Sequence, residues 1–156
     1  AGTRLMGDPD VLIDVLHPPR GLVPGAVPTS NDNSIVLRLR KGVVTILLTG
    51  DLEEAGIPWL LAQEEATVRA TVLKVPHHGS RLGQRCEEFF RTVQPQVAIL
   101  SVGRVHHLPA PETVAALRRA GAAIYSTRRD GAIHLRTDGT RLFLKTHRTG
   151  RWVEQR

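Results

Sequence analysis

The chain has 156 residues, 41% of them hydrophobic, which fits one domain with a hydrophobic core of ordinary size. No apolar run approaches the roughly 20 residues that cross a bilayer, and the first residues lack a secretory leader, so we expect any membrane anchor of a parent protein outside this chain. The net charge of +6 suits a polyanionic partner, and the single cysteine, Cys86, excludes an internal disulfide.

The first half of the chain is predicted to contain strands before it contains helices. Strands are predicted at 11–16, 34–40 and 43–49, because these segments are rich in β-branched residues or alternate apolar with polar side chains. Residues 18–33 are rich in Pro, Gly, Ser and Asn, as a loop is. The last two strands form a hairpin, and the second of them is apolar enough to be buried on both faces. A helix is predicted within 53–65, beginning near Pro58.

The second half alternates strands with amphipathic helices and then ends in short strands. Phe89, Phe90 and Val93 are predicted to face inward from one of the helices, and Pro111 to begin the other. We expect Cys86 to be a small buried hydrophobe. The predicted elements are a strand at 70–75, a helix at 84–93, a strand at 97–102, a helix at 111–120, and strands at 123–126, 132–136 and 141–146. This order predicts an α/β fold.

Polar side chains follow three of the buried strands, at the point where each strand ends. Asp51 follows the first, in the segment LLTGD, where it either offers an oxygen ligand in a cleft or caps the following helix. His77 and His78 follow the second strand, and His106 and His107 follow the third. Each histidine pair is either a surface loop or a source of one metal ligand or acid–base group.

The repetition of this pattern favours function over chance. Two-metal hydrolytic sites use mixed sets of histidine and carboxylate to activate water and to stabilise the leaving oxygen. We therefore expect Asp51, one of His77 and His78, and His107 to converge in space. The remaining histidines, His17, His134 and His147, are interpreted as packing or surface residues.

Five segments together resemble the C-terminal hydrolase domain of ComEC-type competence proteins. They are NDNSIVLRL (31–39), ILLTGD (46–51), VLKVPHHGS (72–80), PQVAILSVG (95–103) and IYSTRRDGAI (124–133). The resemblance implies a metallo-β-lactamase-like αββα sandwich and a nuclease-like domain that acts on DNA during uptake. It also implies a parent protein in the cell membrane, with this domain on the extracytoplasmic side.

The same resemblance implies roles for individual residues. Asp51 matches the metal-bridging carboxylate, and His78, or its neighbour His77, matches a ligand or catalytic histidine. His107 matches the last histidine motif, with His106 as the alternative. The side chains of Asn31, Asn33 and Ser34 are expected to line the cleft, Asn33 as a catalytic group. The implied cofactor is a divalent metal, Zn or Mn.

The sequence departs from the family in one large respect, the lack of an HxHxDH motif, since it contains no His-x-His. That motif belongs to the first half of the family's fold and supplies most of its metal ligands. We therefore interpret residues 1–156 as the C-terminal half of one such domain, with a mixed sheet and helices on one face. The missing half is the expected partner, and metal binding by this chain alone is expected to be weak or absent.

The sequence leaves two functions open. The chain is either part of a metal-dependent phosphodiesterase or a non-catalytic DNA-binding or interaction module with a degenerate metal site. A β-lactamase or thioesterase of the same superfamily fits less well, because the C-terminal third is strongly basic. From Arg118 to the end, ten Lys and Arg stand against three Asp and Glu. Arg128, Arg129 and Arg141 are the predicted contacts to single-stranded DNA, unless this basic segment is a plain solvated face.

The strands at 43–49 and 97–102 carry a further expectation about assembly. In the complete sandwich their sheet packs on the sheet of the missing half, so their removal from that partner would leave a large apolar patch and an open strand edge. A second copy of the chain could cover both through a two-fold contact. The isolated chain is therefore predicted to form a homodimer or to aggregate through these strands.

Overall fold

The computed structural model describes residues 1–5, 8–24, 30–103 and 107–155, and these form two stacked sheets with helices on one side. The seven strands of the first sheet are β1 (Thr3–Leu5), β2 (Leu12–His17), β3 (Val36–Lys41), β4 (Val44–Leu48), β5 (Val72–Lys74), β6 (Val97–Leu100) and β7 (Ala123–Ser126). The helices are α1 (Ile57–Leu61), α2 (Glu65–Val68), α3 (Cys86–Val93), α4 (Pro111–Arg119) and α5 (Thr127–Asp130). The second sheet consists of β8 (Ile133–Thr137), β9 (Leu142–Thr146) and β10 (Val153–Gln155).

The strands of the first sheet lie in chain order, antiparallel from β1 to β4 and parallel from β4 to β7. Parallel strands that follow one another place all their carboxyl ends on the same side of a sheet. We call this side the carboxyl edge. Because β3 runs against β4, the segment that precedes β3 lies at the carboxyl edge as well, and so does the end of β2 at His17.

The helices cover one face of the first sheet and build the larger core. Phe89, Phe90 and Val93 of α3 are fully buried there, as predicted, with Leu47 of β4 and Leu73 of β5. The 3.6-residue period of α3 brings these three side chains onto one stripe. Cys86 is also buried in this layer, and burial raises the pKa of its thiol, so its predicted packing role is confirmed.

The second sheet covers the other face of the same strands. Val44, Val72 and Val97 of the first sheet pack against Leu142 and Leu144 of β9. Both faces of β4 and β6 are thus covered within this one chain, as the apolar run in β4 predicts. The expected large apolar patch on these two strands is wrong, because β8 to β10 occupy the face that we assigned to a missing half or a second copy.

Most of the predicted elements are confirmed, with shifts of at most two residues at their ends. The helix predicted within 53–65 is instead two short helices, α1 and α2. Between them the side-chain amide of Gln63 donates to the carbonyl oxygen of Leu16 (2.9 Å), so this segment turns toward β2. The strands β1 and β10 and the helix α5 were not predicted, since three or four residues carry too little periodicity.

The α/β class, the mixed sheet and the helices on one face are confirmed, and the metallo-β-lactamase assignment stays a prediction. None of the helices in the described ranges is long and apolar enough to span a membrane.

Candidate functional site

The polar loops predicted to carry chemistry meet at the carboxyl edge. Asp51 follows β4, a 3-10 turn (Pro76–Gly79) follows β5, and Ser101 follows β6. Neighbouring parallel strands lie about 4.8 Å apart, so residues that follow them at similar offsets come within contact distance. The candidate site is therefore a direct consequence of the parallel strand order.

Asp51 is held from two sides by its neighbours. Its backbone N–H donates to the hydroxyl of Ser34 (3.2 Å), and Nζ of Lys74 lies 3.2 Å from its Oδ1 atom. The same ammonium group donates to the carbonyl oxygen of Gly50. Asp51 does not cap the following helix, because α1 is capped at Gly56. Its carboxylate is 41% exposed and so remains open to a ligand.

The two histidines lie in a strained turn. His77 (φ 40°, ψ 51°) and His78 (φ 57°, ψ 16°) both adopt left-handed backbone conformations, and Gly79 follows with φ 82°. Such conformations cost non-glycine residues roughly 1–3 kcal/mol each and concentrate at active sites and ligand clamps. The strain indicates that the turn is held for a purpose other than stability.

Gly79 is required at the end of this turn for a second reason. A Cβ atom there would lie 2.5 Å from Cδ2 of Leu100 and 2.8 Å from Cβ of Pro109. The carbonyl oxygen of Gly79 accepts a hydrogen bond from the backbone N–H of Ala110 (2.8 Å). Pro109 and Ala110 therefore lie directly against the histidine turn.

The imidazole of His78 is oriented by the strand beside it. Its Nδ1 atom lies 2.6 Å from the carbonyl oxygen of Ser101, and its Nε2 atom lies 3.6 Å from Oδ2 of Asp51. A carbonyl oxygen can only accept, so Nδ1 carries the proton, and in the neutral ring Nε2 presents a lone pair. Two acceptors, Nε2 and Oδ2, then face each other, an arrangement that a shared cation or proton would stabilise.

His77 faces a different carboxylate, that of Glu53. The Oε1 atom of Glu53 lies 2.8 Å from Nδ1 of His77, outside the direction of a hydrogen bond, and accepts from the amide of Asn31 (3.1 Å). Glu53 was not predicted as a site residue, because it lies in the segment 53–65 in which a helix was predicted. Its position two residues beyond Asp51 was the only available signal.

The three polar residues before β3 divide between the site and the scaffold. Ser34 contacts Asp51, and Asn31 contacts Glu53, so both lie beside the candidate site, and their place in a cleft stays a prediction. The side-chain oxygen of Asn33 instead accepts from the backbone N–H of Val23 (2.9 Å), which joins these two described segments. A catalytic role for Asn33 stays a prediction, and this contact favours a structural one.

The last histidine motif is only partly described. His106 lies outside the described residues. His107 is exposed, two residues before the Pro109 that packs on Gly79. In the described part of the chain no three His, Cys, Asp or Glu side chains come together as a metal site requires. A ligand role for His107 stays a prediction.

The described residues do not by themselves fit a Zn or Mn ion. Zinc centres use at least three protein ligands, whereas Asp51 and His78 supply two. Two ligands at about 2.0–2.1 Å from one tetrahedral ion lie about 3.4 Å apart, close to the observed 3.6 Å. The pair thus has the spacing of two ligands, and the ammonium group of Lys74 lies at the other carboxylate oxygen.

The three arginines predicted to bind DNA do not form one surface. The guanidinium of Arg128 donates to the carbonyl oxygen of Gly103 (2.7 and 2.9 Å), at the carboxyl edge. Arg129 pairs with Asp130, which lowers the pKa of that carboxyl. Arg141 follows the β8–β9 turn, whose Gly139 oxygen accepts from the backbone N–H of Val43, at the opposite edge.

Arg141 lies away from Arg128 and Arg129 because β8 runs from the carboxyl edge along the full length of the second sheet, and contact of the three arginines with DNA stays a prediction. Arg141 also forms a double hydrogen bond with Asp138 (2.8 and 3.0 Å), which offsets much of its charge.

Two curated proteins are similar to parts of this chain, and no family model matches it. ComE operon protein 3 of Bacillus subtilis is 37% identical over 111 residues, which cover 69% of this chain and 14% of that protein. The uncharacterized protein YcaI of Escherichia coli is 35% identical over 80 residues, 51% of this chain and 10% of that protein. The chain thus matches about a seventh of one relative and a tenth of the other. The similarity to ComE operon protein 3 extends over about two thirds of this chain.

Proposed function

We propose that this chain is part of a metal-dependent nuclease or phosphodiesterase that acts on DNA during competence DNA uptake. One observation carries the proposal: Nε2 of His78 and Oδ2 of Asp51 face each other at 3.6 Å while Nδ1 of His78 is held by Ser101. This is the geometry of a histidine that is oriented to bind a cation through its other nitrogen. The remaining ligands would come from outside the described residues.

The other side chains of the site suit the same chemistry. Lys74 places a positive charge beside Asp51, where it could contact a phosphate oxygen of a nucleic acid. Glu53 and His77 form a second acid–imidazole pair beside the first. Water activation by a Zn or Mn centre is the chemistry that the complete set of ligands would supply.

The link to DNA uptake rests on the similarity to ComE operon protein 3. Because the matched segment is a small part of that relative, the proposal is that this chain is one portion of a larger, membrane-bound protein. An extracytoplasmic position for this portion is part of the same proposal.

A non-catalytic module is the second candidate, and the contact between Lys74 and Asp51 favours it. The ammonium group neutralises the carboxylate that a metal would need, so the site could persist as a scaffold without an ion. A nuclease assay on the chain joined to the sequence encoded upstream of it separates the two candidates. Cleavage that requires Mn²⁺ or Zn²⁺ and is abolished by D51N supports the enzyme, and binding without cleavage supports the module.

A further inference from the structure

The outer face of the second sheet carries two aromatic rings among basic side chains. In β9, Leu142 and Leu144 are buried against the first sheet, so Phe143 and Lys145 point away from it. The strand register places Arg136 of β8 directly opposite Phe143. Trp152, immediately before β10, is 43% exposed. We call these four residues and Arg141 the aromatic face.

Each ring of the aromatic face has a cation beside it. The guanidinium carbon of Arg141 lies 5.4 Å from the ring centre of Phe143, and Nζ of Lys145 lies 5.3 Å from that of Trp152. These are cation–π distances, so each cation stabilises the ring beside it. A cavity of about 290 Å³ opens between them, lined by Arg136, Asp138, Arg141, Phe143 and Trp152.

The charges of this face are only partly balanced. Asp138 pairs with Arg141, and the backbone N–H groups of Arg141 and Thr140 hold the pKa of Asp138 well below its usual range, so it stays ionised. Glu154 also lies on this face, opposite Phe143 in the register. Within the described ranges, however, neither Arg136 nor Lys145 forms an ion pair with a carboxylate. Two cations therefore remain for an external anion.

We propose that the aromatic face binds a single-stranded nucleic acid, with a base in the cavity against Trp152 and Phe143 and the flanking phosphates on Arg136 and Lys145. Stacking on aromatic rings combined with a basic surface is how proteins hold single strands without reading their sequence. A duplex keeps its bases stacked inside, so it cannot use the cavity. The choice of DNA rather than RNA rests on the proposed function, but the binding itself does not.

Fluorescence anisotropy with a labelled oligo(dT) of about 15 nucleotides tests this proposal, since single-strand binding surfaces span up to about 16 nucleotides. Trp152→Ala should weaken binding about tenfold or more, the usual effect of removing one stacking ring. Trp59→Ala is the matched control, because Trp59 is 39% exposed on α1, in the helical layer. The affinity of the Trp59→Ala variant for oligo(dT) should equal that of the unmodified chain.

Tryptophan emission gives a direct second readout. The chain has two tryptophans, so Trp59→Phe leaves Trp152 as the sole reporter, and oligo(dT) should quench it. The reverse variant, Trp152→Phe, should show no quenching. Both signals are recorded without added metal and do not depend on cleavage, so a failure of the proposed nuclease does not count against the aromatic face, and a failure of the aromatic face does not count against the nuclease.

Four results would overturn the inference. The first is equal affinity for duplex and single strand, and the second is equal weakening by both tryptophan-to-alanine variants. The third is a Trp152 signal that responds to phosphatidylglycerol vesicles but not to oligo(dT), which would assign the face to an anionic membrane. Self-association that Trp152→Ala abolishes would likewise assign it to a second copy of the chain.

Discussion

The imidazole of His78 lies between the carbonyl oxygen of Ser101, 2.6 Å from Nδ1, and the carboxylate of Asp51, 3.6 Å from Nε2. These three residues follow three adjacent parallel strands, so the contact depends on the order β4, β5, β6. The carbonyl fixes which nitrogen is free, and the carboxylate defines what that nitrogen faces. Asp51 and His78 thus have the arrangement of two ligands of a cation site.

Metal titration of the 156-residue chain should show weak binding. Two ligand side chains, one of them in contact with Lys74, do not provide the three that a zinc centre needs. Isothermal calorimetry with Zn²⁺ or Mn²⁺ should therefore give no stoichiometric binding in the submicromolar range. The control is Asp51→Asn, which should change little. Tight one-to-one binding that Asp51→Asn removes would mean that the chain holds a complete centre.

Gly79→Ala should destabilise the chain more than Gly121→Ala. Both glycines have φ near +80°, so both alanines suffer the same backbone strain, roughly 1 kcal/mol. Only at Gly79 would the new Cβ meet Leu100 and Pro109, which adds about 1–3 kcal/mol of overpacking. Urea denaturation measures the difference in the free energy of unfolding. Equal losses at both positions would show that Leu100 and Pro109 do not pack against Gly79.

His17 should make the chain less stable as the pH falls. Its ring is fully buried, and burial lowers its pKa below the unfolded value of about 6.5, although a contact of Nδ1 with the carbonyl oxygen of Ser34 (2.9 Å) opposes this. The unfolded chain then binds the proton more readily than the folded chain. The contribution of neutral His17 to the free energy of unfolding is therefore complete above about pH 6.5 and is lost as the pH falls below it. His17→Leu should flatten the profile, and His134→Gln, at an exposed position, should leave it unchanged. A profile unaltered by His17→Leu contradicts the assignment.

The second sheet should be part of the cooperative fold. Leu144 of β9 is 3% exposed and packs against the first sheet, so Leu144→Ala should lower the free energy of unfolding by about 2–5 kcal/mol. Val43→Ala is the control, because Val43 is 75% exposed and its truncation should cost less than about 0.5 kcal/mol. Light scattering on the same samples should show a monomer, since this sheet already covers β4 and β6. A stable dimer that Leu144→Ala does not perturb would restore the assembly expected from the sequence.

The sequence predicts the parts of this fold that depend on local pattern. The stripe of Phe89, Phe90 and Val93 identifies α3 through its period, and Pro111 and Gly121 bound α4. The meeting of Asp51 with His78 was also predictable, because strands joined by helices are parallel and end on one side of the sheet.

The parts that depend on long-range pairing were not predictable. The strand register places Lys74 beside Leu48, and so its ammonium group beside Asp51, but no local signal fixes that register. The direction of β8 over the first sheet separates Arg141 from Arg128, although both belong to one basic stretch of sequence. The same packing covers the apolar face for which we expected an external partner.

The measurement that tests the central claim most directly is a nuclease assay on this chain joined to the sequence encoded upstream of it, with single-stranded DNA and Mn²⁺ or Zn²⁺. We predict metal-dependent cleavage that Asp51→Asn and His78→Asn each reduce at least a hundredfold, in keeping with the loss of a centre that activates water. Asn33→Ala should keep most of the activity, since its side chain bonds to Val23. Cleavage that survives both site substitutions, or no metal-dependent cleavage by the folded protein, would contradict the account.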